Sequence, residues 1–118
     1  MPFQSFIIPS KAMSWNTVAR KHYRVYQKIY LQWKQATFYA AKLANLKPIV
    51  QFPAIVSVHC KWKMKRVHDI DSILFKPILD QLVTMGIFPD DSLQFIESVA
   101  YSGEIGAKED EIVITITS

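Results

Sequence analysis

The chain has 118 residues, enough for one domain around a single hydrophobic core, and half of them are apolar. That composition, without any low-complexity run, excludes a chain that stays unfolded for want of apolar surface. The formal charge of +4 conceals a division: residues 1–68 hold twelve Lys and Arg and no acid, whereas residues 69–118 hold two lysines against ten acids. Charge halves of opposite sign point to contact with nucleic acid or a membrane surface, and a solvated basic face is the plainer alternative.

Cys60 is the lone cysteine, which excludes an intrachain disulfide and a cysteine metal framework and fits a reducing cytoplasm. The opening Met1-Pro2-Phe3-Gln4-Ser5-Phe6 lacks the basic and apolar regions of a signal peptide. No apolar run approaches the roughly 18 residues that a membrane span needs. The expectation is a soluble, cytoplasmic protein without membrane contact.

In chain order, Phe3 to Ile8 is β-branched and aromatic enough for a strand, stopped by Pro9-Ser10. Residues 10–16 read as a loop in which Ser14 or Asn16 can cap a helix. From Thr17 to Asn45 there is no Gly or Pro, and Val18, Tyr26, Ile29, Tyr30 and Trp33 recur at helical spacing. Arg20, Arg24 and Lys28 fall at i, i+4 and i+8, one basic stripe on that helix. Asn45 and Pro48 end it.

Pro53 precedes a strand over Ala54–Met64. Its alternation puts Val56, Val58, Cys60, Trp62 and Met64 on one face and Ile55, Ser57, His59, Lys61 and Lys63 on the other. Continued in extended chain, Lys65, Asp69 and Asp71 would follow on the second face. A shorter helix has Leu74, Ile78, Leu82 and Met85 on its buried side. Pro77 is tolerable only in its first turn, so it starts between Leu74 and Lys76, and Gly86 ends it. Residues 93–102 and 111–117 read as a hairpin about the 103–110 loop. The order β-α-β-α-β-β predicts an α/β (α+β) fold, one domain with two helices on a mixed β-sheet.

The chemistry-bearing residues cluster after the basic half. Asp69 and Asp71, two apart, project to one side of extended chain and can share a divalent cation; hard Mg²⁺ takes oxygen ligands from one or two carboxylates plus water. Asp90-Asp91 follows the second helix at the Phe88-Pro89 turn. Such carboxylates suit phosphodiester hydrolysis, in which the metal acidifies a bound water and neutralises charge on phosphate, and Lys76 adds a fixed cation. Each piece also has an ordinary reading: Asp-x-Asp is common at loop ends, Asp-Asp-Ser is a turn or cap, and Asp80 can pair with Lys76 at i+4.

Lys61, Lys63, Lys65 and Arg66 lead into the acids and suit phosphate contacts, with Arg20, Lys21, Arg24 and Lys28 extending the footprint. Trp33 and Trp62 fall on apolar faces and read as core, while Trp15 lies in a loop. His22 and His59 read as structural or solvent-facing. His68 adjoins Asp69 and could touch phosphate or metal, and the three histidines form no ligand set.

Together, Asp69-Ile-Asp-Ser, Lys76-Pro-Ile-Leu-Asp80-Gln-Leu and Gly86-Ile-Phe-Pro-Asp90-Asp91-Ser resemble the signature of the RusA-type Holliday-junction resolvases. More loosely, so do the N-terminal strand, the loop with Asn16 and the closing Ile-Thr-Ile-Thr. The resemblance implies a RusA-like endodeoxyribonuclease domain over residues 1–118: a homodimer that nicks four-way DNA junctions symmetrically with Mg²⁺, for which Mn²⁺ can substitute. It places metal at Asp69, Asp71 and Asp91, with Asp90 a lesser candidate, and a catalytic role at Lys76. Two positions depart from the pattern. Ser72 stands where the family has Asn, and the step from Asp71 to Lys76 is one residue longer. An extra residue ahead of the helix leaves Lys76 in register, whereas one inside it would rotate Lys76 by about 100°.

Overall fold

The computed structural model describes residues 3–14, 19–65 and 73–118. Four strands, β1 (Phe3–Ile8), β2 (Ala54–Trp62), β3 (Ile96–Ile105) and β4 (Glu111–Thr117), form one mixed sheet in the order β1-β4-β2-β3. Two helices, α1 (Tyr23–Leu43) and α2 (Lys76–Thr84), complete the expected β-α-β-α-β-β succession. The result is a single α+β domain.

Alternation in β2 sets the layers. Val56, Val58 and Cys60 are fully buried and Trp62 nearly so, while Ile55, Ser57, His59 and Lys61 face the other way and stay partly exposed. In β4, Ile112, Ile114 and Ile116 join the buried side, as do Phe6 and Ile8 of β1. The helices close that side. Trp33, Ala40 and Ala41 of α1 and Ile78 and Leu82 of α2 are buried, and Trp33, Ala40, Ile78 and Leu82 belong to the same apolar cluster as the strands. Each buried aliphatic side chain contributes about 1.5–3 kcal/mol relative to exposure.

The expected hairpin of the last two strands is a misreading of their partners. Strand β3 runs parallel to β2, and β4 runs antiparallel on its other side, so β2 lies between them. The alternation of β2 is deep enough for a central strand, and a central strand needs a neighbour at each edge. The 106–110 connection therefore passes beyond the end of β2, where the Ala107 N–H donates to the Trp62 carbonyl and the Lys63 N–H donates to Asp110 Oδ1. Gly103 makes room for the Trp62 ring, since a Cβ there would lie 2.9 Å from it.

The end of β2 and the start of α1 differ from expectation. Strand β2 ends at Trp62, and Met64 is exposed in the bend beyond, so the extended course does not carry through Lys63 to Lys65. Helix α1 begins at Tyr23, where His22 rather than Ser14 supplies the cap: its Nδ1 accepts from the Arg24 N–H at 3.2 Å. Arg20 and Lys21 thus precede the helix, and the basic stripe on it reduces to Arg24 and Lys28. Ser14 is occupied elsewhere, in a bridge with Ile73, and the Leu74 N–H donates to the Met13 carbonyl at 2.8 Å. Helix α2 starts at Lys76 with Pro77 in its first turn, and Gly86 leaves it at φ +81°. Asn45, at φ 56°, ends α1 in the same left-handed manner.

The two-faced sheet sets a contrast between substitutions. Ile114→Ala, on the helix side, should cost about 2–5 kcal/mol in urea unfolding, whereas Ile55→Ala on the open side should cost less than about 1 kcal/mol.

Candidate metal and nucleic-acid site

Lys76 stands at the first turn of α2 with its side chain 65% exposed, and Asp80 lies one turn on. Their Nζ and Oδ2 are 3.6 Å apart, the ordinary i, i+4 pairing expected from spacing. Asp80 also accepts a short hydrogen bond from the Tyr30 hydroxyl, which reaches across from α1. Lys34 sits one turn further along α1, its Nζ 5.7 Å from the Tyr30 ring centre and 3.4 Å from Thr84 Oγ1. Burial, the hydrogen bond to Asp80 and the Asp80 charge together push the Tyr30 hydroxyl up to about 12. Tyr30 therefore holds Asp80, and Asp80 holds Lys76. Sequence periodicity placed Tyr30 with the core residues, and the phenol that reaches Asp80 left no mark in the spacing.

Asp90 and Asp91 lie in the turn between buried Phe88 and β3, and both are exposed. The Asp91 N–H donates to Asp90 Oδ1 at 2.8 Å, so Asp90 has a structural task in the turn. Among the described residues nothing bonds the Asp91 carboxylate, which leaves its oxygens open to a hard cation. Asp69, Asp71 and Arg66, with His68, Ser72, Trp15 and Asn16, lie outside the described residues. Among the described residues no three His, Cys, Asp or Glu side chains converge as a metal site would require.

The basic residues divide into two groups. Arg20, Lys21, Arg24 and Lys28 are all exposed around the start of α1. The first turn of that helix carries no acid, so these cations add to the positive end of the helix dipole instead of being offset. At the end of β2, Lys63 and Lys65 are exposed, and the Lys65 stem lies against Gly106. Lys61 is different: its Nζ is 3.4 Å from Glu111 Oε1, and its cross-strand partner in β3 is Glu104. A phosphate contact at Lys61 would have to compete with both carboxylates. The Asp90–Asp91 turn feeds β3 where Ile96 pairs with Ala54, and Lys61 stands at the other end of β2.

The open sheet face also assembles a group that the sequence did not reveal. His59 Nδ1 lies 2.6 Å from Ser102 Oγ, and His59 Nε2 lies 3.1 Å from Glu104 Oε1. These residues are 43 and 45 positions apart, joined by the parallel pairing of β2 with β3. The three side chains form a hydrogen-bonded row across β2 and β3. Cys60 is buried on the opposite side and its thiol is pushed up to about 11, an inert state.

No family model matches the chain, and no curated protein matches it. Among the described residues no helix is long and apolar enough to cross a membrane.

The Tyr30–Asp80 bond fixes a pH-dependent outcome. Because the hydroxyl rises from 10.0 to about 12 on folding, its stabilisation is whole below pH 10 and is lost as pH climbs through about 12. Tyr30→Phe should cost about 1 kcal/mol at neutral pH, and the gap from wild type should close over that alkaline interval in urea titrations.

Proposed function

We propose that this chain is a Mg²⁺-dependent, structure-selective endodeoxyribonuclease of the RusA type, which resolves four-way DNA junctions by paired nicks. The observation that carries the reading is the start of α2 at Lys76. Ile73, Leu74 and Phe75 precede the helix, Ile73 in its bridge to Ser14 and the other two without regular structure. The extra residue between Asp71 and Lys76 thus falls ahead of the helix, and Lys76, Asp80 and the apolar positions between them keep the helical register that the resemblance requires.

Three further features support it. The Asp91 carboxylate is exposed and unengaged among the described residues. The cations about the start of α1 are exposed and unopposed by acid on their own helix. Lys76 is the one lysine among five aspartates between residues 69 and 91.

In this reading Asp69, Asp71 and Asp91 hold the cation, which supplies an acidified water and neutralises charge on the phosphate. Asp90 sets the turn that presents Asp91. Lys76 stabilises the charge that builds on the scissile phosphate, and Asp80, held by Tyr30, sets the course of its exposed side chain along α2. Arg20, Lys21, Arg24, Lys28, Lys63, Lys65 and Arg66 hold the backbone phosphates without reading bases. A homodimer sets two such sites on the two strands of a symmetric junction. A cytoplasmic setting in a bacterial or phage-infected cell suits a DNA substrate of this kind.

A second reading, binding of junction or duplex DNA without hydrolysis, is favoured by one observation: Lys76 is paired with Asp80 and would have to be shared with phosphate. One experiment separates them. With a synthetic four-way junction and Mg²⁺ or Mn²⁺, the nuclease gives paired nicks, and Asp71→Asn and Asp91→Asn each reduce the rate by at least about 100-fold. Salt-sensitive binding without cleavage under either metal selects the second reading. Absence of binding at low salt rules out both.

A further inference from the structure

Helix α1 presents a face that no described element covers. Trp33, Thr37, Ala40 and Ala41 turn inward, while Lys28, Leu31, Gln35, Phe38 and Lys42 are all exposed. These five positions are alternately three and four residues apart, the spacing of a seam along which a second helix packs. Tyr39 and Leu43 border it: Leu31 is 62%, Tyr39 61% and Leu43 91% exposed. Side chains three and four apart are neighbours on a helix surface, so the apolar ones form a patch and are not scattered singly. Its own members order it. The Phe38 and Tyr39 rings meet edge to face at 5.5 Å, and Lys42 Nζ lies 5.6 Å from the centre of the Phe38 ring. No acid occurs anywhere in α1, whereas Arg24, Lys28, Lys34 and Lys42 all belong to it.

We propose that this face docks an acidic amphipathic helix of another protein, with its apolar side chains over Leu31 and Phe38 and its carboxylates at Lys28 and Lys42. Charge selects that occupant. Lys28 and Lys42 stand at the two ends of the seam, about 21 Å apart by helical rise. Acids toward both ends of the partner therefore meet a cation while its middle packs on apolar surface. The same charges oppose a second copy of α1, since parallel pairing sets each lysine against itself and antiparallel pairing sets Lys28 against Lys42. Duplex DNA carries a phosphate about every 3.4 Å along each strand, far denser than two cations in about 21 Å. Leu31 and Leu43 also offer phosphate nothing. A bilayer would have to accept Gln35 and Lys42 beside Phe38 on the midline of the face, where a protein partner can pair them. Aromatic anchors already held by their neighbours, as Phe38 and Tyr39 are, lose little freedom on docking. Only Lys28 is shared with the phosphate contacts proposed above, so the docking face stands or falls apart from the nuclease reading.

Fluorescence anisotropy of a labelled synthetic helix, titrated with the full chain free of metal and DNA, tests the docking face. The probe is a capped peptide of about 18 residues, roughly 27 Å long when helical, with Leu along one seam and Glu beside it. Its control carries Lys for each Glu. The Glu peptide should bind saturably at micromolar concentration, and the Lys peptide at least about tenfold more weakly. Leu31→Glu and Lys42→Glu should each weaken the Glu peptide at least about tenfold, with unchanged far-ultraviolet circular dichroism. Lys42→Glu should also gain affinity for the Lys peptide, which loss of structure alone cannot produce. Ile55→Glu, on the open side of the sheet, should bind like wild type. Absence of saturable binding, equal binding of both peptides, or binding that survives the Leu31→Glu/Lys42→Glu double change overturns the proposal. So does tighter binding to phosphatidylserine vesicles, or to a single-stranded oligonucleotide, that the double change abolishes. Junction cleavage is read separately with Mg²⁺, and none of these outcomes decides it.

Discussion

The burial of alternate residues in β2 is the constraint on which the rest of the molecule depends. With Val56, Val58, Cys60 and Trp62 pressed under two helices, β2 must be flanked on both edges, and it recruits β3 in parallel and β4 in the opposite sense. Everything else is arranged around that choice. Helix α2 becomes the crossover between β2 and β3, which puts the start of α2 beside α1 and brings Tyr30 to Asp80. The side of β2 that is not buried becomes a face that no described element covers, on which parallel pairing brings Ser102 and Glu104 to His59.

The charge division follows the same architecture. Acid-free residues 1–68 supply β1, α1 and β2, so the start of α1 and the end of β2 are basic by inheritance. The acids arrive with α2, the turn before β3, and the two last strands. Where the halves meet inside the sheet, they neutralise one another, as at Lys61 and Glu111. Where the basic half stands alone, around Arg20 to Lys28, the charge remains available to an anionic partner. Backbone phosphate is the chemistry that suits an array of exposed cations with no acid between them.

Much of this was legible in the sequence. The alternation of β2 has a period of two with large apolar residues on one side, so its buried face was evident. Pro77 and Gly86 bracketed α2 because proline lacks the N–H that a later helical turn needs and glycine relaxes into positive φ. What remained hidden depended on long-range partners. Residues 93–102 and 111–117 look like a hairpin because they are neighbours in sequence, and nothing local says that β2 inserts between them. The pattern from Thr17 to Leu43 is unbroken, yet the described chain breaks from helix at Arg20 to His22 and α1 begins at Tyr23. His22 offers a cap there, and Met13 and Ser14 are held by Ile73 and Leu74. In the candidate site, the i, i+4 pairing of Lys76 with Asp80 was visible from spacing, whereas Tyr30 was not, because a tyrosine on a helix reads first as apolar surface. The tie between β2 and its basic extension was overestimated, since the strand ends at Trp62, two residues short of the expected Met64.

A direct measurement of the proposed metal site is Mn²⁺ binding followed by electron paramagnetic resonance on wild type and on Asp69→Asn, Asp71→Asn and Asp91→Asn. If the three carboxylates hold one cation, wild type binds Mn²⁺ and each single change weakens that binding while the fold, read by circular dichroism, persists. Mn²⁺ binding that is undiminished in Asp91→Asn, or absent from wild type even with junction DNA present, would contradict the site.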